Sequence, residues 1–212
     1  MNYFYIDTSS NYLYSGIVSN NNLKVSIKKN FGKELSKYSL DEVKKMFERV
    51  NMTPNDIDKI VVVAGPGSFT GIRIGMTIAK TYAFMLKKDI IPITSLEAMA
   101  YSINTSLVKV PLIDARRGCV YSGVYIGNSL LLDNQYINFS KLQEYLNTLN
   151  QEYVFITNDL KFSEFNKTNY NPDILKIIEI VKERNGVNPH LIEPIYLKLT
   201  EAEENIGSNY DN

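Results

Sequence analysis

Four groups of residues in this 212-residue chain are of types that could do chemistry. Asp7-Thr8-Ser9 closes an N-terminal apolar run, where a carboxylate and two hydroxyls could face a metal-bound phosphate. AGPGSFTG (64–71) follows the β-branched run 60–63. Its glycines permit positive φ and close backbone approach. A helix starting there, with Thr70 as N-cap, would offer free N–H groups to an anion, Gly65, Gly67 and Ser68 contributing. Asp114, in a DARRG turn, is the best remaining acid for a catalytic carboxylate. His190 and Cys119 are the sole residues of their kinds.

Each has a plainer reading. The Asp7 side chain can form a turn with its own backbone. Asp114 can cap its turn or pair with Arg116. The glycine loop can be a tight strand-to-helix turn. His190 reads as a structural or surface residue, and Cys119 as a small core residue. Known chemistries fit the loop poorly. The GxxxxGK[ST] phosphate loop needs four residues between its glycines and then lysine; here five separate Gly65 from Gly71, and Ile72-Arg73 follow. The dinucleotide fingerprint GxGxxG is GxGxxxG here, and the next strand ends in Thr94-Ser95 rather than an acid. GxSxG does not match GPGSFTG, and one remote histidine supports no triad. A metal site lacks its cluster of ligands.

The elements that must position these groups alternate. Residues 3–6, 12–18 and 23–27 read as an antiparallel meander with an Asn-rich turn at 20–22. Residues 39–50 carry Leu40, Val43, Phe47 and Val50 at helical spacing, with Ser39 and Glu42 as a capping box. A Thr-Pro-Asn turn leads to strand 60–64. Then come a helix over 70–87, strand 90–94, helix 95–103, and strands 108–114 and 119–127. A helix near 140–149, a strand near 153–157 and a helix near 172–184 follow. The 166–171 stretch reads as a flexible connector, and the last eight residues as frayed. No repeat is apparent in the sequence. The opening β-β-β-α-β-α-β-α order predicts a mixed sheet with helices on its faces, like the ribonuclease-H-like half-domain of the actin and sugar-kinase superfamily.

In the helix after the glycine loop, Gly71, Gly75, Ala79 and Ala83 recur every fourth residue as a smooth ridge along which another helix could approach. Ile72, Met76 and Tyr82 spread apolar surface around much of its circumference, so it is expected to be buried on two sides. One side can face its own sheet. The other needs helix 39–50 or another chain.

Composition narrows the field. Charged residues are 22% and the net charge is zero, which argues against a nucleic-acid binder acting alone. No transmembrane-length run and no signal peptide are recognised, and one cysteine allows no internal disulfide. A cytoplasmic location is expected.

AGPGSFTGIRIGMTIAK (64–80) resembles the hallmark GPGSFTGxRxG of the TsaB (YeaZ) family. YIDTSS (5–10), ITSLEAMA (93–100), LIDARRGCVYSGVY (112–125) and EPIYLKLTEAEEN (193–205) resemble further family segments in order. Cys119 and Lys198 stand where Glu and Arg are usual. The His-Ser-Glu that opens the first family helix is Leu35-Ser36-Lys37 here, and the second lobe is short. The resemblance implies an actin-like fold of two ribonuclease-H-like lobes: 1–104 with the docking helices, and a reduced lobe with the C-terminal segment, 105–212. It implies a non-catalytic scaffold of tRNA threonylcarbamoyladenosine (t6A) synthesis that binds a TsaD-like catalytic subunit and works with a TsaE-like ATPase. Alone it would form a homodimer, and tRNA would be contacted through the complex. Docking would use Leu40, Val43 and Phe47 of one helix, and Gly71, Ile72, Gly75, Met76, Ala79, Tyr82 and Ala83 of the other. No cofactor is expected beyond weak adenine-nucleotide binding at a vestigial phosphate site of Asp7, Thr8, Ser9, Gly65, Gly67, Ser68 and Thr70. The alternative is an actin-like ATPase or small-molecule kinase acting through Asp7 and Asp114.

Overall fold

The computed structural model describes residues 1–198. Leu199, the closing TEAEEN stretch and the terminus expected to fray lie outside the described residues.

The first sheet has the strand order β3-β2-β1-β4-β5, formed by β1 (Asn2–Asp7), β2 (Tyr12–Ser19), β3 (Asn22–Asn30), β4 (Lys59–Val63) and β5 (Ile90–Ile93). β1–β2 and β2–β3 are antiparallel; β1–β4 and β4–β5 are parallel. Alternation along β1 and β4 divides their side chains between two cores, as a period of two requires. Phe4, Ile6, Ile60 and Val62 meet α1 (Leu35–Arg49) and α2 (Phe69–Leu86) on one face. Tyr3, Tyr5, Val61 and Val63 meet α3 (Ser95–Ser102) and α5 (Ile174–Val181) on the other.

The second sheet repeats this plan. Its order is β10-β9-β6-β7-β8, from β6 (Val108–Asp114), β7 (Cys119–Ile126), β8 (Ser129–Asn138), β9 (Tyr153–Ile156) and β10 (Lys167–Thr168). β6–β7 and β7–β8 are antiparallel; β6–β9 and β9–β10 are parallel. Read from β8, this is the first lobe's strand order and polarity. The chain is thus a structural duplication of the ribonuclease-H-like unit, although no repeat is visible in the sequence. α4 (Phe139–Thr148) stands where α1 does, but the counterpart of α2 is reduced to a 3-10 turn at Leu160–Phe162. Phe139, Phe155, Phe162 and Phe165 fill that space.

Several boundaries differ from expectation. α1 starts at Leu35, so Ser39 is no cap: it is buried inside the helix, its hydroxyl donating to the Leu35 carbonyl, while Glu42 pairs with Lys29. Capping boxes stand elsewhere: at α3, where Thr94 and Glu97 exchange side-chain and backbone bonds, and at the 3-10 turn Pro54–Asp56, where Thr53 and Asp56 do. The supposed connector holds β10 and the half-buried Tyr170. Cys119 is only half buried. The C-terminal segment does not stay with the second lobe: α5 packs on the first sheet, and the Ile195 N–H donates to the Ala64 carbonyl.

Candidate functional site

The two sheets face each other across a cleft of about 820 Å³. Its first-lobe wall is the β1 loop (Ser9–Asn11) and the glycine loop with the start of α2 (Gly67–Thr70). Its second-lobe wall is the 112–116 turn and residues 157–159, and Ser95, Met99, Tyr121 and Tyr170 complete the lining.

The expected phosphate site opens into it only in part. Ser9, Gly67, Ser68 and Thr70 line the cleft, but Asp7, Thr8 and Gly65 do not. Asp7 is 1% exposed. Its Oδ1 accepts the Ser9 N–H at 2.8 Å, and its Oδ2 accepts the Tyr170 hydroxyl at 3.4 Å. Burial raises its pKa, an effect the hydrogen bonds from Ser9 and Tyr170 only partly oppose. The carboxylate expected to face a metal-bound phosphate is therefore turned inward and spent on its own turn. Asp114 does line the cleft, but it pairs with Lys161 at 2.5 Å and accepts the Arg116 N–H. The Lys161 bond holds its pKa below the usual carboxylate range. The turn-cap reading of Asp114 is right; its salt-bridge partner is Lys161 rather than Arg116.

The glycines of the loop serve close approach. Thr8 reaches over from the end of β1 and inserts its hydroxyl into the ladder of α2. It donates to the Gly71 carbonyl at 2.7 Å and accepts the Gly75 N–H at 2.9 Å, the two groups that an ordinary helical turn would join directly. A Cβ on Gly71 would lie 2.1 Å from the Thr8 carbonyl oxygen, and one on Gly75 2.4 Å from Thr8 Oγ1. Gly67 would meet the Ser9 carbonyl oxygen at 2.3 Å, and the Ser68 N–H donates to that same oxygen. The N-cap of α2 is Ser68, not Thr70: its hydroxyl accepts the Gly71 N–H. The loop is a clasp between two strand ends.

The ridge on α2 is accordingly internal. Gly71, Ile72, Gly75, Met76, Ala79 and Ala83 are buried within the chain, as are Val43 and Phe47 of α1. Tyr82 is half buried, its ring packed edge-on against Phe4 and Phe47. As a docking face these residues are a correction, because the sheet beneath and the β1 loop already cover them. Leu40 alone of the expected set is exposed, at 55%. It lies on a shallow groove of about 460 Å³ between α1 and α2, with Ser36, Phe69, Arg73, Ile74 and Thr77. Phe69 is 56% exposed, with the Arg73 guanidinium 3.7 Å from its ring centre. Sequence reasoning missed Phe69, Arg73 and Thr77. Their four-residue spacing was a readable signal, hidden by the more regular small residues beside them.

Comparison with known proteins decides the family. The sequence family described as TsaD, tRNA N6-adenosine threonylcarbamoyltransferase, matches residues 27–175. The tRNA threonylcarbamoyladenosine biosynthesis protein TsaB of Bacillus subtilis is 32% identical over 78% of this chain and 80% of its own. The chain belongs to the TsaB (YeaZ) family. The protein of the same name from Buchnera aphidicola is 28% identical, over 75% of this chain and 83% of its own. In fold, this TsaB-family chain matches a Pseudomonas aeruginosa crystal structure described as an uncharacterized protein with similarity to peptidase YEAZ. The TM-score is 0.81 at 18% identity, over 93% of this chain and 99% of that one. Among the described residues, no helix is long and apolar enough to cross a membrane.

Proposed function

We propose that this TsaB-family chain is a non-catalytic, cytoplasmic support subunit of t6A synthesis that binds a TsaD-like transferase through the groove between α1 and α2. The observation that carries the reading is the apolar surface left on those helices after their inner faces are fully used. Leu40 and Phe69 remain more than half exposed across one groove from each other. Large apolar groups clustered at a helix pair mark an interaction surface rather than scattered surface residues. Family membership supports the pathway, and the likeness of residues 27–175 to a transferase family is in keeping with a partner of related fold. A TsaE-like ATPase and tRNA join through that partner, and a second copy of the chain competes for the same groove in its absence.

The inward-turned Asp7 and the paired Asp114 support this reading over an ATPase or kinase. Neither acid is free to hold a metal-bound phosphate without breaking the bonds it already makes. The test is docking by variants that keep the fold. Leu40→Asp and Thr77→Arg place charge on the groove while leaving the core intact. Each is expected to weaken binding to the transferase of the same organism by at least about tenfold, roughly 1.4 kcal/mol, in titration calorimetry. Unchanged affinity in both variants sinks the assignment of this groove.

A further inference from the structure

The two lobes are joined by more than their two chain crossings. Asn134 sits on β8, an edge strand of the second lobe, yet its Nδ2 donates to Thr94 Oγ1 at the start of α3, 3.2 Å away. It gets there by passing over β7 at Gly123, where the β7–β8 register slips. A Cβ at Gly123 would lie 2.2 Å from Asn134 Oδ1, so only glycine leaves this passage open. The Tyr125 hydroxyl donates to that same Oδ1 at 2.7 Å and fixes which way the amide points. The Tyr125 ring, although on β7, is fully buried in the core of the first lobe. The relay continues beyond Thr94. Glu97 Oε2 accepts the Thr94 N–H, and Glu97 Oε1 accepts Arg184, which follows α5, at 2.9 Å. Lys109 of β6 crosses the seam independently, donating to the Ala100 carbonyl of α3 at 2.7 Å.

We propose that this relay from Tyr125 through Asn134 and Thr94 to Glu97 and Arg184 is a clamp that holds the lobes at one angle and gives the cleft between them a single opening. Its members are partly buried, where a satisfied network is stronger and more directional than in water. Hinged domains concentrate their motion at a few weakly packed joints. Here the joint is filled by a buried tyrosine, a buried lysine and a relay of side chains, so the lobes move as one body. The proposal does not depend on the docking reading, which concerns the opposite face of the first sheet.

Nitroxide labels at Glu48→Cys on α1 and Glu144→Cys on α4, in a Cys119→Ser background, report the distance between lobes by double electron–electron resonance. The clamp predicts one narrow distance distribution in the parent and a broadened or second population in Asn134→Ala. Tyr125→Phe, which keeps the ring and removes only the hydroxyl that orients Asn134, carries the same expectation should Asn134→Ala fail to fold. A broad or bimodal distribution in the parent overturns the proposal. So does a folded clamp variant whose distribution is as narrow as the parent's.

Discussion

Replacing Thr8 by valine keeps its shape but strips the hydroxyl from the ladder of α2, leaving the Gly71 carbonyl and Gly75 N–H unsatisfied in a buried place. The expected loss is about 1–3 kcal/mol in urea unfolding, the cost of stranding buried polar groups. Gly71→Ala is expected to lose about as much by overpacking, since its Cβ would overlap the Thr8 carbonyl oxygen. Asp7 offers a test by pH. Burial raises its folded pKa, so the folded chain keeps this proton to higher pH than the unfolded chain does. Its contribution to stability is full below about pH 3.9 and lost as pH climbs through the folded value. Asp7→Asn stays neutral, so it should be at least as stable as the parent at pH 7 and lack that decline in a series of melts. Marked destabilisation at pH 7 would contradict it. Lys109 has the opposite sign. Burial, helped by the nearby Lys176 charge, lowers its pKa to about 8. The folded state therefore pays to charge it below pH 8, and stability should rise between pH about 8 and about 10 as that cost fades. Lys109→Met should flatten the rise.

At the scale of elements, α1 and α2 each have an inner and an outer face, and the two respond differently to substitution. Ala79→Leu acts on the inner face, where a larger side chain is expected to cost about 1–3 kcal/mol of stability. Leu40→Asp acts on the outer face and should leave the melting temperature nearly unchanged while weakening docking. Equal effects of both variants on stability would contradict this division. The same pair of helices shows what the sequence could and could not convey. Period and apolar spacing located most strands and helices to within a few residues, because alternation and 3.6-residue repeats register burial directly. They could not tell which covering a small-residue ridge receives. Gly71 and Gly75 suit a neighbouring helix as well as an inserted threonine, and Thr8 lies more than 60 residues away in sequence. The Thr94-x-x-Glu97 box went unread, and the Ser39-x-x-Glu42 pattern misled because η1 (Gly32–Glu34) and Leu35 start the helix one turn earlier.

For the whole molecule, the duplication was illegible for a physical reason. Strand order and polarity depend on which strands pair, and two sheets can pair alike while sharing no side chains. The second lobe also fills the missing counterpart of α2 with phenylalanines, which leaves no helical period to find. The candidate site was legible in its motifs and not in its use. The glycine loop and Asp7 read as a phosphate site, but their closest partners are each other's strand ends and Tyr170. The measurement that bears most directly on the account is size-exclusion chromatography with light scattering on this chain mixed with the TsaD-like transferase of the same organism, run beside Leu40→Asp. The account predicts a stoichiometric complex for the parent and separate peaks for the folded variant. Separate peaks for the parent, with nucleotide hydrolysis by this chain alone that Asp7→Asn abolishes, would contradict it.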